Sequence, residues 1–292
     1  MRILITGGEG QLGRALARAF AGHDVQAPGR GALDIRDPIA VRTALDSMGP
    51  DAVINAAALT DTALCETEPD LARAVNADAP GLLAEAAASR ATFLHVSTNE
   101  VFAGVAIEPY REDAVVGPLN VYAASKAEGE RRVLAANAAA LVVRTSWLYG
   151  EGGNNFPSKV LAAARAGRPL RFVTDEIATP TFVDDLAGGI RRLIERTAAG
   201  APGSGGVYHL TNDGEASRYD WAREILALAG AGDEGVEPIT TDQLYAGGYN
   251  GPRKPRYSVL ANTRARALGI ALRDWREALA DYFARYRVAV DV

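Results

Sequence analysis

The sequence predicts an α/β fold: a doubly wound parallel sheet with a smaller C-terminal part. Three observations carry this reading. Short apolar runs recur without the polar alternation of a half-exposed strand, segments of helical spacing separate them, and a glycine-rich turn follows the first run at once.

Arg2-Ile3-Leu4-Ile5-Thr6 reads as the first strand, and Leu12, Leu16, Ala19 and Phe20 after it fall at helical intervals. Val25-Gln26-Ala27 is a weak second strand. Asp37 caps a helix to about Met48, with Pro38 at the first helical position, where its missing N–H is no loss. Asp51 to Asn55 is a third strand, an alanine-rich helix covers about Ala79 to Ser89, and Thr92 to Ser97 is a fourth strand. A helix from about Val121 to Ala136 leads to the fifth strand, Ala140 to Thr145. Beyond about Gly150 glycine and proline become frequent. Helices are expected there near Ser158 to Ala166, Asp184 to Thr197, Ser217 to Ala229 and Trp275 to Tyr286. Gly206 to Leu210 is a late strand able to rejoin the sheet, and Ala198 to Gly205 reads as a flexible surface loop.

The chain has 292 residues, 48% hydrophobic and 23% charged, enough for one large or two unequal domains. A formal charge of −5 leaves no basic excess to neutralise a nucleic-acid backbone, so that class of partner is not expected. Cys65 is the only cysteine, which excludes an internal disulfide and a cysteine-built metal site and fits a reducing compartment. His23, His95 and His209 are scattered, and no metal is expected. No run is long enough to span a bilayer and the N-terminus lacks a signal-peptide core, so a cytoplasmic protein without a membrane partner is expected.

The glycines after the first strand parse as Gly7-x-x-Gly10-x-x-Gly13 or Gly8-x-Gly10-x-x-Gly13. Either parse lets backbone approach a pyrophosphate at a helix N-terminus, where free N–H groups and the helix dipole favour an anion. The same glycines also fit a plain tight turn. Arg14-Ala15 stands where a nucleoside-triphosphatase loop needs Lys-Ser/Thr, which excludes that class. Tyr122 and Lys126 are four residues apart on one helix face, so an ammonium there is expected to lower the phenol pKa. Alone, the pair also fits a solvated helix surface. Thr98 follows the fourth strand at the carboxyl edge, where such sheets bind ligands.

Glycine turn, post-strand hydroxyl and Tyr-x-x-x-Lys in this order resemble the extended short-chain dehydrogenase/reductase superfamily, which has a Rossmann sheet. Further segments resemble its dTDP-4-dehydrorhamnose reductases: Leu33-Asp34-Ile35-Arg36-Asp37, Asn55-Ala56-Ala57-Ala58-Leu59-Thr60, Ser97-Thr98-Asn99-Glu100-Val101-Phe102, Asn120-Val121-Tyr122 and Arg144-Thr145-Ser146-Trp147-Leu148-Tyr149. Gly153-Asn154-Asn155-Phe156, Ala178-Thr179-Pro180-Thr181 and Arg253-Lys254-Pro255-Arg256-Tyr257-Ser258-Val259-Leu260 extend the likeness over nearly the whole chain.

The resemblance implies reduction of a 4-keto-6-deoxy nucleotide sugar. Tyr122 would protonate the carbonyl oxygen, Thr98 would hydrogen-bond it, and Lys126 would tune Tyr122 and hold the nicotinamide ribose. Gly7, Gly10, Gln11, Leu12, Gly13, Asp34, Ile35, Ala58, Leu59 and Thr60 fall on cofactor positions, Asn99 and Trp147 on substrate positions. Residues 1–150, rejoined by about 180–212, would bind the dinucleotide, and 151–179 with 213–292 the substrate. The chain would act as a monomer or homodimer. NAD sites usually carry an acid after the second strand; here Pro28-Gly29-Arg30 follows, so NADPH is expected, with NADH tolerated and Asp34 a rival ribose ligand. Asn99 replaces the usual Asp, and an amide cannot serve as the acid of a dehydratase. The alternatives are another epimerase or reductase of the superfamily, or a non-catalytic regulatory subunit.

Overall fold

The structure, a computed structural model, describes residues 1–152, 154–200, 205–232 and 235–286. Gly153 of the Gly-Asn-Asn-Phe segment and residues 201–204 of the expected surface loop lie outside the described residues.

The first half alternates strand and helix: β1 (Arg2–Thr6), α1 (Gln11–Ala19), β2 (Asp24–Gln26), α2 (Pro38–Met48), β3 (Ala52–Asn55), α3 (Thr62–Thr67), α4 (Pro69–Arg73), α5 (Ala79–Ala87), β4 (Thr92–Thr98), α6 (Val121–Ala136) and β5 (Leu141–Thr145). A π-turn, Ala74–Asp78, joins α4 to α5, and a 3₁₀ turn, Asn99–Val101, follows β4. The Asp37 carboxylate accepts from Ile39 and Ala40 N–H, which satisfies amides that helix geometry leaves free and starts α2 at Pro38. Asn120 caps α6 in the same way through Ala123 N–H.

The second half is more broken. It comprises β6 (Leu148–Tyr149), α7 (Phe156–Arg165), β7 (Leu170–Val173), β8 (Ile177–Ala178), β9 (Thr181–Phe182), α8 (Val183–Ala198), β10 (Gly206–His209), β11 (Ala216–Ser217), α9 (Arg218–Leu228), β12 (Val236–Ile239), α10 (Thr241–Ala246), α11 (Thr263–Ala267) and α12 (Trp275–Tyr286). The central sheet runs β10-β5-β4-β3-β1-β2, parallel throughout, so the late strand does rejoin it, beside β5. The order steps outward in both directions from β1 and β3, which is the double winding expected.

Two apolar layers flank this sheet. Alternate strand residues Ile3, Ile5, Ile54 and Val143 meet α1 and α8, while Leu4, Val53, Phe93 and Val142 meet α2 and α5. Opposite Cβ directions of neighbouring strand residues produce that division. A third core gathers Tyr149, Phe182, Trp221, Trp275 and Tyr282 from the second half.

Candidate active site

Thr6 and Asn55 end β1 and β3 in register, Thr98 and Thr145 end β4 and β5 in register, and a cleft of about 560 Å³ opens at that carboxyl edge. Gly10, Gln11, Leu12 and Gly13 form one wall, with Ala58 and Thr60 beside them; Thr98, Asn99, Tyr122, Lys126 and Trp147 also line it. Gly7, Arg30, Asp34, Ile35 and Leu59 do not. Gly7 turns the chain with φ 71°, and a Cβ there would sit 2.8 Å from Ala57 backbone. Ile35 is buried in the core under α2. Leu59 is gripped by Asn76, which accepts from its N–H at 2.8 Å and donates to its carbonyl at 2.9 Å. Arg30 is exposed, and Asp34 is engaged by Arg36, whose Nη2 lies 2.5 Å from Oδ2. That guanidinium holds the Asp34 carboxyl down at about 2, with Arg30 adding a smaller pull.

Helix α1 begins at Gly10 with no side-chain cap and no acidic residue in its first turn, so its leading amides face the cleft with their positive potential intact. A Cβ on Gly13 would come 2.2 Å from the Gly7 carbonyl, so the loop packs on itself only because position 13 is glycine. The buried Gln11 Oε1 has no hydrogen-bond partner among the described residues. These features suit an anionic diphosphate laid along the loop.

The opposite wall carries the chemistry. Thr98 ends β4 and sits close enough to the Tyr122 phenol to pull its pKa down. The phenol pKa is nevertheless raised, by burial first and the nearby Glu100 carboxylate second. The sequence expectation of a lowered pKa is reversed by that burial, and Lys126 is held on β4. Its Nζ donates to the Val96 carbonyl at 2.7 Å and lies 3.1 Å from His95 Nε2. Burial pulls Lys126 down to about 8, Glu130 opposing.

Several cleft residues escaped the sequence reading. Arg218 stacks its guanidinium 3.6 Å above the Trp147 ring centroid, and Trp221 stacks under both Trp147 and Phe156. Trp221 is fully buried and also backs the cleft. Trp147 itself adopts φ 44°, a region that bulky residues rarely occupy. Burial pulls Arg218 down to about 10, still a cation at neutral pH, with Glu176 the main opposing charge. Lys254 pairs with Glu100 at 2.8 Å, and Lys159 completes the set. One signal was available in the sequence. Of 31 basic residues only Lys126, Lys159 and Lys254 are lysine, and all three line this cleft. Asn99 is buried, and its Nδ2 donates to Ser258 Oγ at 2.7 Å.

Free helix amides on one wall of a parallel-sheet cleft and a phenol beside Thr98 on the other mark a Rossmann-type reductase. Comparison with known proteins narrows that class: the family described as RmlD substrate binding domain matches residues 1–288, and the chain belongs to it. It is 40% identical to the dTDP-4-dehydrorhamnose reductase of Mycolicibacterium smegmatis, covering 97% of this chain and 85% of the relative. It is 41% identical to a Streptomyces antibioticus protein named as a probable dTDP-4,6-dihydroxy-2-methyloxan-3-one 4-ketoreductase, over 97% of this chain and 95% of that one. Among solved structures, the Bacillus anthracis dTDP-4-dehydrorhamnose reductase in complex with NADP superposes with a TM-score of 0.89 at 32% identity, covering 97% and 98% of the two chains. Among the described residues, no helix is long and apolar enough to cross a membrane.

Proposed function

We propose that this chain is a nucleotide-sugar 4-ketoreductase that reduces dTDP-4-dehydro-L-rhamnose to dTDP-L-rhamnose with NADPH, NADH being tolerated. The observation that carries the reading is the juxtaposition of Thr98, Tyr122 and Lys126 at the sheet edge, in the same cleft as the uncapped amides of α1. Gly10, Gln11, Leu12 and Gly13 would hold the cofactor diphosphate and Lys126 its ribose. Arg30 and Arg36 would meet a 2′-phosphate, since Arg36 already neutralises the Asp34 carboxylate. The bound nicotinamide supplies a hydride to the sugar carbon.

Tyr122 would give its proton to the C4 oxygen, and its raised pKa keeps that proton in place at neutral pH. Thr98 would orient the oxygen. Lys159, Arg218 and Lys254 would face the sugar diphosphate, Trp147 and Asn99 the sugar. Glu100, paired with Lys254, is not free to act as the base of a dehydratase. The third core would belong to a substrate-binding domain of residues 151–179 and 213–292, joined to a dinucleotide-binding domain of 1–150 and about 180–212. The reading places the enzyme in the cytoplasm as a monomer or homodimer.

The test is NADPH oxidation on addition of the keto sugar, with the product identified by NMR. No oxidation, or formation of a 4-keto-6-deoxy sugar from dTDP-glucose and NAD, overturns the reading. A higher kcat/KM with NADH reverses the cofactor assignment alone.

A further inference from the structure

Behind Lys126 runs a chain of buried polar groups that the proposed reaction does not use. The Asn55 carboxamide oxygen accepts from Thr6 Oγ1 at 2.6 Å and from the Ala57 N–H at 3.2 Å. Those two donors fix the amide orientation, so the Asn55 Nδ2 group faces His95 Nδ1, 3.0 Å away, as a donor. His95 Nδ1 must therefore accept. A neutral imidazole with one accepting nitrogen carries its proton on the other, here Nε2, which lies 3.1 Å from Lys126 Nζ. His95 is fully buried, and burial with the adjacent Lys126 keeps it neutral, far below its ordinary range.

An N–H pointed at Nζ is satisfied only by a lone pair, which an ammonium lacks. Lys126 as a neutral amine accepts from His95 Nε2 and still donates to the Val96 carbonyl at 2.7 Å. As an ammonium it confronts a donor with a donor. We propose that His95, locked in its Nε2–H form by Asn55 and Thr6, is a positioning residue that stabilises the uncharged amine of Lys126, so that this lysine exchanges its proton around neutral pH instead of standing as a fixed cation. The proposal deepens the ketoreductase reading and rests on it for its role in turnover. In that reading the protonation state of Lys126 sets the pull its amine exerts on the nicotinamide ribose it would hold, and the proton it gains or loses is exchanged with solvent through the cleft it lines. The other ionisable group acting on Lys126 is Glu130, which favours the ammonium and is itself held by Arg144 at 2.6 Å.

The test uses the full-length chain labelled with 13Cε-lysine. With three lysines in the sequence, the Lys126 signal is assigned by its loss in Lys126→Met. In the wild type it should titrate near 8. His95→Gln, whose side-chain oxygen can accept from an ammonium, should raise the midpoint by about one unit or more, a tenfold tighter proton. A wild-type midpoint above 10, or a His95→Gln midpoint within a few tenths of wild type, overturns the proposal. Long-range 15N–1H spectra of the wild type provide a reading that needs no variant: Nδ1 should be the unprotonated nitrogen of His95, and an Nδ1–H tautomer sinks the idea. Failure of the ketoreductase reading is seen separately, because none of these signals depends on turnover. The alkaline limb of the kcat profile should move with the Lys126 midpoint in His95→Gln.

Discussion

Helix α6 carries Lys126 and Glu130 one turn apart, both buried, and the sheet answers them in opposite ways. Strand β5 offers Glu130 a full counter-charge: Arg144 Nη2 lies 2.6 Å from Oε2 and Nε 3.0 Å from Oε1, while Ser97 Oγ donates at 2.5 Å. Strand β4 offers Lys126 only a carbonyl and a neutral imidazole. A buried charge matched by a forked partner is fixed in place; one left with neutral partners stays titratable. One turn of the helix anchors the fold, and the turn before it is kept reactive at a cost in stability.

That contrast breaks most sharply if Tyr122, a further turn up α6, is replaced. Tyr122→Phe should cut turnover by about 10² to 10⁴, measured under single-turnover conditions, with little change in the urea midpoint or in cofactor affinity. Near-wild-type turnover would remove Tyr122 as the proton donor. Glu130→Gln should act the other way round. It leaves Arg144 buried without a counter-charge and should cost about 3–5 kcal/mol in equilibrium unfolding, and a loss below about 1 kcal/mol would show that this turn does not anchor.

Lys126→Met sharpens the comparison through pH. Lys126 binds its proton more weakly when folded, about 8, than in the unfolded chain, 10.5, so between those values the unfolded state holds more protons. The stability withheld by burying this group is regained as pH rises through that window. The wild type should therefore gain about 1–3 kcal/mol on the methionine variant between pH 8 and 10.5. A flat difference would mean Lys126 is not depressed. The same substitution should weaken cofactor binding as well as turnover, in contrast to Tyr122→Phe. The smallest effect is expected at Asn99, where the buried amide is tied to Ser258 Oγ. Asp accepts from that hydroxyl equally well, so Asn99→Asp should keep reductase activity within about tenfold, roughly 1.4 kcal/mol. A shifted KM for the sugar would mark substrate contact; an unchanged KM with altered thermal stability would mark a tether alone.

The fold was legible wherever its signals are local. Helix α6 occupies Val121–Ala136 as read, because Asn120 announces its start, and α2 begins at Pro38 after Asp37 for the same reason. The short strands of the second half were not, since β7 finds its partner β12 more than sixty residues later and nothing in four residues records that pairing. The site divides along the same line. The glycine loop, Thr98, Tyr122 and Lys126 stand in readable order, and the structure brings them to one cleft. Spacing placed Lys126 near Tyr122 on the helix but could not say that its amine reaches β4. Nor could it place Arg218 over Trp147, seventy-one positions apart, a contact that exists only after the third core has formed.

The pairing of β10 with β5 also bears on how the protein is made. Strand β5 ends at Thr145, yet the neighbour that closes its outer edge is Gly206–His209. A ribosome adds about 5–20 residues per second, so some sixty residues keep that edge open for roughly 3–12 seconds. For that interval the nascent chain exposes the N–H and C=O groups of a strand whose residues are all buried in the finished sheet, the kind of edge that templates aggregation. A chain stopped short of Gly206 would leave the sheet permanently unsealed, so fragments ending before β10 should be markedly stickier than fragments a few residues longer.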